Sequence, residues 1–282
     1  MAAVTDLPPL FGASKRRWWL VGIVVGWIVV LVGLSVWSVR HDPATVPEQR
    51  DIADAVPELQ RAAGVLFAAA DGDGRVVVLG GLEFVADCRI TPVRHGLVAA
   101  RDLTVYVRAG EAESTLRSVA AGLPAAYRAD VFATRGGTRL TLHADAGNFI
   151  GVDTATDAGA KVLTLRLTSG CRPEGSHPPD DADPPIGPAP AALGTVLRAL
   201  GPDVPEPRTQ AVACPDGAVA GSYRVDDLVK PADFADRLKT ASAGATVVRS
   251  DESVWAYRTG GDSVVVTPDG DGLRVVAGRS CQ

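Results

Sequence analysis

The sequence predicts an α+β protein: a single N-terminal transmembrane helix followed by two similar disulfide-stapled α+β domains with mainly antiparallel (mixed) sheets. Three observations carry this. An apolar run of 22 residues without a charge lies near the N-terminus. All four cysteines follow it. The same succession of helix-like and strand-like patterns stands on both sides of a proline-rich stretch.

Residues 1–17 read as a cytoplasmic tail too short to fold alone. Residues 18–39, "WWLVGIVVGWIVVLVGLSVWSV", read as an uncleaved signal anchor, because at about 1.5 Å per residue the run crosses a hydrocarbon core of about 30 Å. Lys15, Arg16 and Arg17 precede it, so the positive-inside rule puts the N-terminus in the cytoplasm and everything after Arg40 outside. Trp18, Trp19 and Trp37 suit the two interfacial belts. A cleavable signal peptide would have an apolar region of about 7–15 residues and a small-x-small cleavage site. This run is longer, and no such site stands cleanly behind it. Gly22, Gly26 and Gly33 share one face of the helix, a smooth stripe of the kind that lets membrane helices pack and self-associate, although glycine is common in membrane helices generally.

After a juxtamembrane linker at 40–56, the first extracytoplasmic domain covers 57–171. It opens with a helix from Pro57 carrying Leu59, Ala63, Leu66 and Ala70 on one face. A strand ending at Cys88, a second strand and the acidic-started helix "GEAESTLRSVAAG" follow. Four strands then close the unit: "ADVFATR", "TRLTLHA", "NFIGVDT" and "AKVLTLRLTSGC". The second domain, 190–282, repeats this order. A helix from Pro190 carries Leu193, Val196, Leu197 and Leu200, a strand ends at Cys214, and a helix around "KPADFADRLKTAS" precedes four more strands, the last ending at Cys281. Gly136-Gly137, Gly260-Gly261 and Asp269-Gly270 mark turns between strands. Residues 172–189 hold prolines and acidic side chains and read as an open, semi-extended linker between two beads.

Four cysteines on an oxidising side imply disulfides, and four allow three connectivities. In each copy one cysteine ends the first strand and the other ends the last. If those two strands neighbour each other in parallel, both cysteines emerge at the same end of the sheet, which selects Cys88–Cys171 and Cys214–Cys281. Closing loops of this length contributes about 4 kcal/mol each in the chain-entropy model.

Composition excludes several functions. The formal charge of −5, with 25 basic and 32 acidic residues beyond Arg17, argues against nucleic-acid binding. The histidines (His41, His95, His143 and His177) and the cysteines show no metal-ligand spacing, and neither a P-loop nor a dinucleotide fingerprint occurs, so no metal or other cofactor is expected. The "DGDG" at Asp71–Gly74 and again at Asp269–Gly272 lacks the remaining ligands of a calcium loop and reads as turn chemistry. No serine-hydrolase elbow appears, and no catalytic residue is assigned. His95 sits in a hairpin loop beside Arg89 and Arg94, and His143 lies in an alternating strand. Trp255 and Tyr257 alternate in "SVWAYRT" and therefore share a face; core packing is the default, and an exposed ring pair here would be the feature that faces a ligand. The expected function is that of a membrane-anchored, non-enzymatic binding or scaffold protein of a bacterial envelope, its partner an envelope protein or polymer. The alternatives are an enzyme acting on an envelope polymer and a sensor or regulatory subunit of a membrane complex.

Overall fold

The computed structural model describes residues 14–41, 50–92, 94–201 and 205–281, with the side chains of 14–17 and 39–41 excepted. The tail at 1–13 and the stretch 42–49 lie outside the described residues. The chain divides into two compact units, Met1–Thr45 and Val46–Gln282.

In the first unit, α1 (Ser14–His41) is one uninterrupted helix. Its segment Trp18–Ser38 is long and apolar enough to cross a membrane. Its apolar side chains are exposed throughout, as a helix that is hydrophobic all round must be when no protein layer covers it. It is the mark of a membrane anchor or a signal segment.

The second unit begins with α2 (Ile52–Ala70), five residues earlier than Pro57 announces, so that Pro57 lies inside the helix. The hairpin β1 (Val76–Thr91) and β2 (Arg94–Tyr106) follows, then α3 (Ala112–Gly122). The strands β3 (Asp130–Thr134), β4 (Arg139–Asp145), β5 (Gly151–Asp157) and β6 (Val162–Thr168) complete a six-stranded sheet in the order β1-β2-β6-β5-β4-β3. The remaining elements are α4 (Ala191–Leu200), β7 (Arg208–Ala213), β8 (Val219–Val229), α5 (Phe234–Ala241), β9 (Thr246–Asp251), β10 (Val254–Thr259), β11 (Asp262–Asp269) and β12 (Gly272–Arg279). They form a second sheet in the order β7-β8-β12-β11-β10-β9. Every strand pairing among the described residues is antiparallel, so these sheets are antiparallel and not mixed.

The disulfides join Cys88 to Cys171 and Cys214 to Cys281, with Cα atoms 5.8 Å apart in each. The route differs from the one expected. The first and last strands of each copy are not neighbours: β2 separates β1 from β6, and β8 separates β7 from β12. Cys171 reaches Cys88 because the chain runs on beyond β6 and pairs Arg172 with Leu97 through two backbone hydrogen bonds of 2.8 Å. Gly96 makes room for that return, since a Cβ there would stand 2.2 Å from the Arg172 carbonyl oxygen.

The two sheets are not beads on an open linker. Alternating apolar residues of the first sheet, such as Leu103, Leu140, Val152 and Leu165, face α2 and α3 in a core that also takes in Val212, Cys214 and Ala220 from the second sheet. The second sheet packs α4 and α5 on one face through Leu197, Leu238, Tyr257 and Val264. Its other face meets the β1 edge of the first sheet, where Val76 joins Val254, Ala256 and Val265. The Leu79 amide donates to Ser222 Oγ at 2.8 Å across this seam. Burial on both faces explains why β11 and β12 read as near-continuous apolar runs.

The proline-rich stretch is tied down as well. Arg101, with no exposed surface, donates through Nη1 and Nη2 to both carboxylate oxygens of Asp183 at 2.9 Å, and its Nε donates to the Gly80 carbonyl. Asp183 also accepts the Ala211 amide of β7 at 2.7 Å. One carboxylate thus joins the first sheet, the connecting segment and the second sheet, and a bidentate geometry of this kind is the strong form of the pair. Tyr223 adds a hydroxyl bond to the Gly187 carbonyl at 2.6 Å.

Candidate functional site

The face of the first sheet turned away from α2 and α3 carries a row of charged side chains. Register pairs Asp130 on β3 with His143 on β4, His143 with Asp153 on β5, Asp153 with Arg166 on β6, and Arg166 with Asp102 on β2. Strand alternation places all five on one side. His143 Nδ1 lies 2.7 Å from Asp153 Oδ1, and Arg166 Nη1 donates to both Asp102 oxygens at 2.9 Å. Phe132, next to the row on β3, is half exposed.

At one end of this row the chain makes an uncommon turn. Gly147, Asn148 and Phe149 have φ of 88°, 50° and 60° in succession. Left-handed backbone costs a non-glycine residue about 1–2 kcal/mol, and the sequence pattern alone would have extended "NFIGVDT" as strand from Asn148. The turn is held from several sides. Gly147 donates to Asp145 Oδ1 at 2.9 Å, Ile150 donates to the Gly147 carbonyl at 2.9 Å, and Asn148 Nδ2 donates to Glu58 Oε2 of α2 at 2.8 Å. The buried guanidinium of Arg172 donates to the Asn148 carbonyl and, through Nε, to the Ser169 carbonyl at 2.8 Å. The consequence is that Phe149 stands 52% exposed over a cavity of about 350 Å³ lined by His143, Asp145, Asn148 and Gly151.

A second concavity of about 460 Å³ lies at the seam between the sheets, between Asp71–Asp73 and Pro215–Asp216, with Arg258 and Cys281 in its wall. Arg258, 7% exposed, donates to the Asp71 carboxylate. That hydrogen bond raises the Arg258 pKa against the burial that works the other way. Arg75 beside it is lowered, chiefly by burial, and donates to Ser118 Oγ at 2.9 Å. Arg258 and Asp71 pair across the seam, and among the described residues no group of three or more His, Cys, Asp or Glu side chains is placed to hold a metal ion.

Trp255 and Tyr257 do share a face, but it is the inner one. Tyr257 is 1% exposed and Trp255 packs on the same α4/α5 core, its indole nitrogen donating to Ser242 Oγ at 3.2 Å. They are core residues and not a ligand face, because α4 and α5 cover the side of β10 they occupy. Burial pushes the Tyr257 phenol up to about 12. A Cβ at Gly22, Gly26 or Gly33 would meet nothing within 4 Å, so the small-residue face of α1 is smooth and uncovered. His95 lies exposed at the β1–β2 hairpin opposite Arg89. Gly270 takes φ of 59° in the β11–β12 hairpin, the turn its sequence indicated, while Asp71 of the other "DGDG" became an ion-pair partner. Sequence reading missed Phe149, Arg258 and Arg172. A signal for Phe149 stood in "DAGNF", where Gly and Asn, the residues most tolerant of positive φ, precede an aromatic. The distant partners of the two arginines, Asp71 for Arg258 and the Asn148 carbonyl for Arg172, left no local signature.

No family model matches the chain, and no curated protein matches it either. Among solved structures, a DUF4853 family protein from Actinomyces odontolyticus aligns with 62% of this chain and 93% of its own length, at 16% identity and a TM-score of 0.36. The dehydratase domain from the CurF module of curacin polyketide synthase aligns at 10% identity and a TM-score of 0.11, over 79% of this chain and 80% of its own. Neither likeness reaches the level of a shared fold.

Proposed function

We propose that this chain is a membrane-anchored, extracytoplasmic binding or scaffold protein of a bacterial cell envelope, without catalytic activity. The observation that carries the reading is the combination in one chain of a membrane-length N-terminal helix and two disulfides beyond it, since disulfides persist on the oxidising side of a membrane. Lys15–Arg17 ahead of the helix favour a cytoplasmic N-terminus. The bacterial assignment rests on an Arg-, Ala-, Val- and Gly-rich composition with four lysines. The same strand order in both sheets supports descent of the two halves from one duplicated α+β unit.

A second reading, an enzyme acting on an envelope polymer, draws on one observation: the His143–Asp153 pair has the contact that orients a general-base histidine. Both side chains are more than half exposed, and among the described residues no hydroxyl or thiol hydrogen-bonds to His143. This leaves the pair without a nucleophile to activate, and the binding reading is preferred.

In-cell crosslinking of the full-length chain at its native membrane, followed by purification and mass spectrometry, tests the proposal. A reproducible partner that disappears when residues 46–282 are deleted supports the scaffold role. Retention on isolated envelope polymer without a protein partner supports the polymer-binding role. Turnover of that polymer, abolished in His143→Ala, would overturn the non-enzymatic reading.

A further inference from the structure

We infer that the cavity beside Phe149 is a binding site for a neutral pyranose unit of an envelope glycan; the inference rests on the binding role proposed above and names its ligand class. Three features of the site converge on a sugar. The first is a single aromatic ring, 52% exposed, set on a backbone conformation that a β-carbon disfavours and fixed from below by Glu58 and the buried Arg172. Strain that the surroundings over-determine is spent here on holding an apolar ring half in water, and such strain clusters at ligand clamps. The second is the polar surround. The Asp145 carboxylate, the Asn148 amide and the His143 imidazole line the same cavity, with Asp153 behind them engaging His143 Nδ1. A pyranose offers C–H bonds on one face for the electron-rich ring and equatorial hydroxyls for carboxylate oxygens.

The third is charge. Asp145 pairs with Arg128 at 3.2 Å, while Asp153, Asp130 and Glu58 stand nearby. Even with Arg172 beneath the turn and Arg166 beside Asp153, the acidic groups outnumber the arginines, which disfavours a polymer bearing phosphate or uronic acid. An apolar protein partner fits poorly as well, because one ring bordered by His143, Asp145 and Asn148 is far smaller than the contiguous apolar patch such partners use. The cavity, about 350 Å³, suits one or two sugar rings and falls within the range of small-molecule sites.

The test presents the full-length chain in lipid nanodiscs to immobilised oligosaccharides: neutral hexoses, pentoses and N-acetylhexosamines beside phosphorylated and uronic-acid-bearing ones. The wild type is expected to be retained on at least one neutral glycan. Phe149→Gly should lose about tenfold in affinity, equivalent to about 1.4 kcal/mol of stacking, while its thermal midpoint stays level or rises, because glycine takes φ of 60° without strain. Replacing a residue with only a structural role would not weaken binding while leaving the thermal midpoint unlowered. Phe149→Asn, which also tolerates this backbone, is the second variant. Phe132→Ala, elsewhere on the same sheet face, should bind as the wild type does.

Retention of a neutral glycan by wild type and both Phe149 variants alike overturns this site and leaves the broader binding role standing. Retention on charged glycans only, or on none, overturns the ligand class, and the crosslinking experiment then decides the broader role alone.

Discussion

The phenol of Tyr257 is buried against α4 and α5, and burial lifts its pKa to about 12 from the ordinary value near 10. The folded protein therefore holds this proton more tightly than the unfolded chain does. The contribution is fully present below about pH 10 and is lost as pH rises through about 12. Denaturation midpoints measured from pH 9 to 12 should fall more steeply for the wild type than for Tyr257→Phe; parallel curves would contradict the assignment. Arg101 is a sharper case, a guanidinium with no exposed surface whose counter-charge is Asp183. In Asp183→Asn the charge stays buried without its partner, and a loss of about 3 kcal/mol in urea unfolding is expected. The helical pair Glu113 and Arg117, both about half exposed, provides the contrast. Glu113→Gln should change stability by less than about 0.5 kcal/mol.

Among elements, the strands and helices were largely legible because alternation and 3.6-residue spacing are local properties. Leu140, Leu142 and Ala144 alternate with Thr141 and His143 in β4, and the buried set is the apolar one. The pairing of the cysteines was legible through the repeated element order, although the neighbouring strands it assumed were not. What the pattern could not supply is whatever depends on one element meeting a distant one. Gly64 reads as a weak spot in an otherwise good helix, worth about 1 kcal/mol relative to alanine. In the fold it is where α2 meets the end of β7, and a Cβ there would stand 1.9 Å from the Ala213 carbonyl oxygen. Gly64→Ala should therefore destabilise the protein by about 2 kcal/mol or more in chemical denaturation despite the better helix propensity. A neutral or stabilising result would mean that α2 can slide away from β7. The turn at Asn148–Phe149 was hidden for a related reason: the buried Arg172 that supports it lies 24 residues from the Asn148 carbonyl it binds.

On the scale of the whole molecule, the two sheets share a core and are clamped at their seam by Arg258 and Asp71, 187 residues apart in the chain. Scanning calorimetry should show residues 46–282 melting in a single transition and not two. Asp71→Ala and Arg258→Ala should each cost about 3 kcal/mol, and the double variant should cost less than their sum, because each single change leaves an unpaired charge at the seam. Two resolved melting steps would restore the picture of independent halves. The connecting segment also bears on how the chain can be divided in the laboratory. Its prolines and acidic residues make it the place where a boundary would be drawn from composition, yet Asp183 within it bonds to both halves. A first-half fragment ending at Cys171 would leave Arg101 without its carboxylate, and a second-half fragment starting at Pro190 would leave the Ala211 amide without its acceptor. A protease nick there should leave two pieces that stay together, and the smallest piece worth expressing beyond α1 is the whole of it.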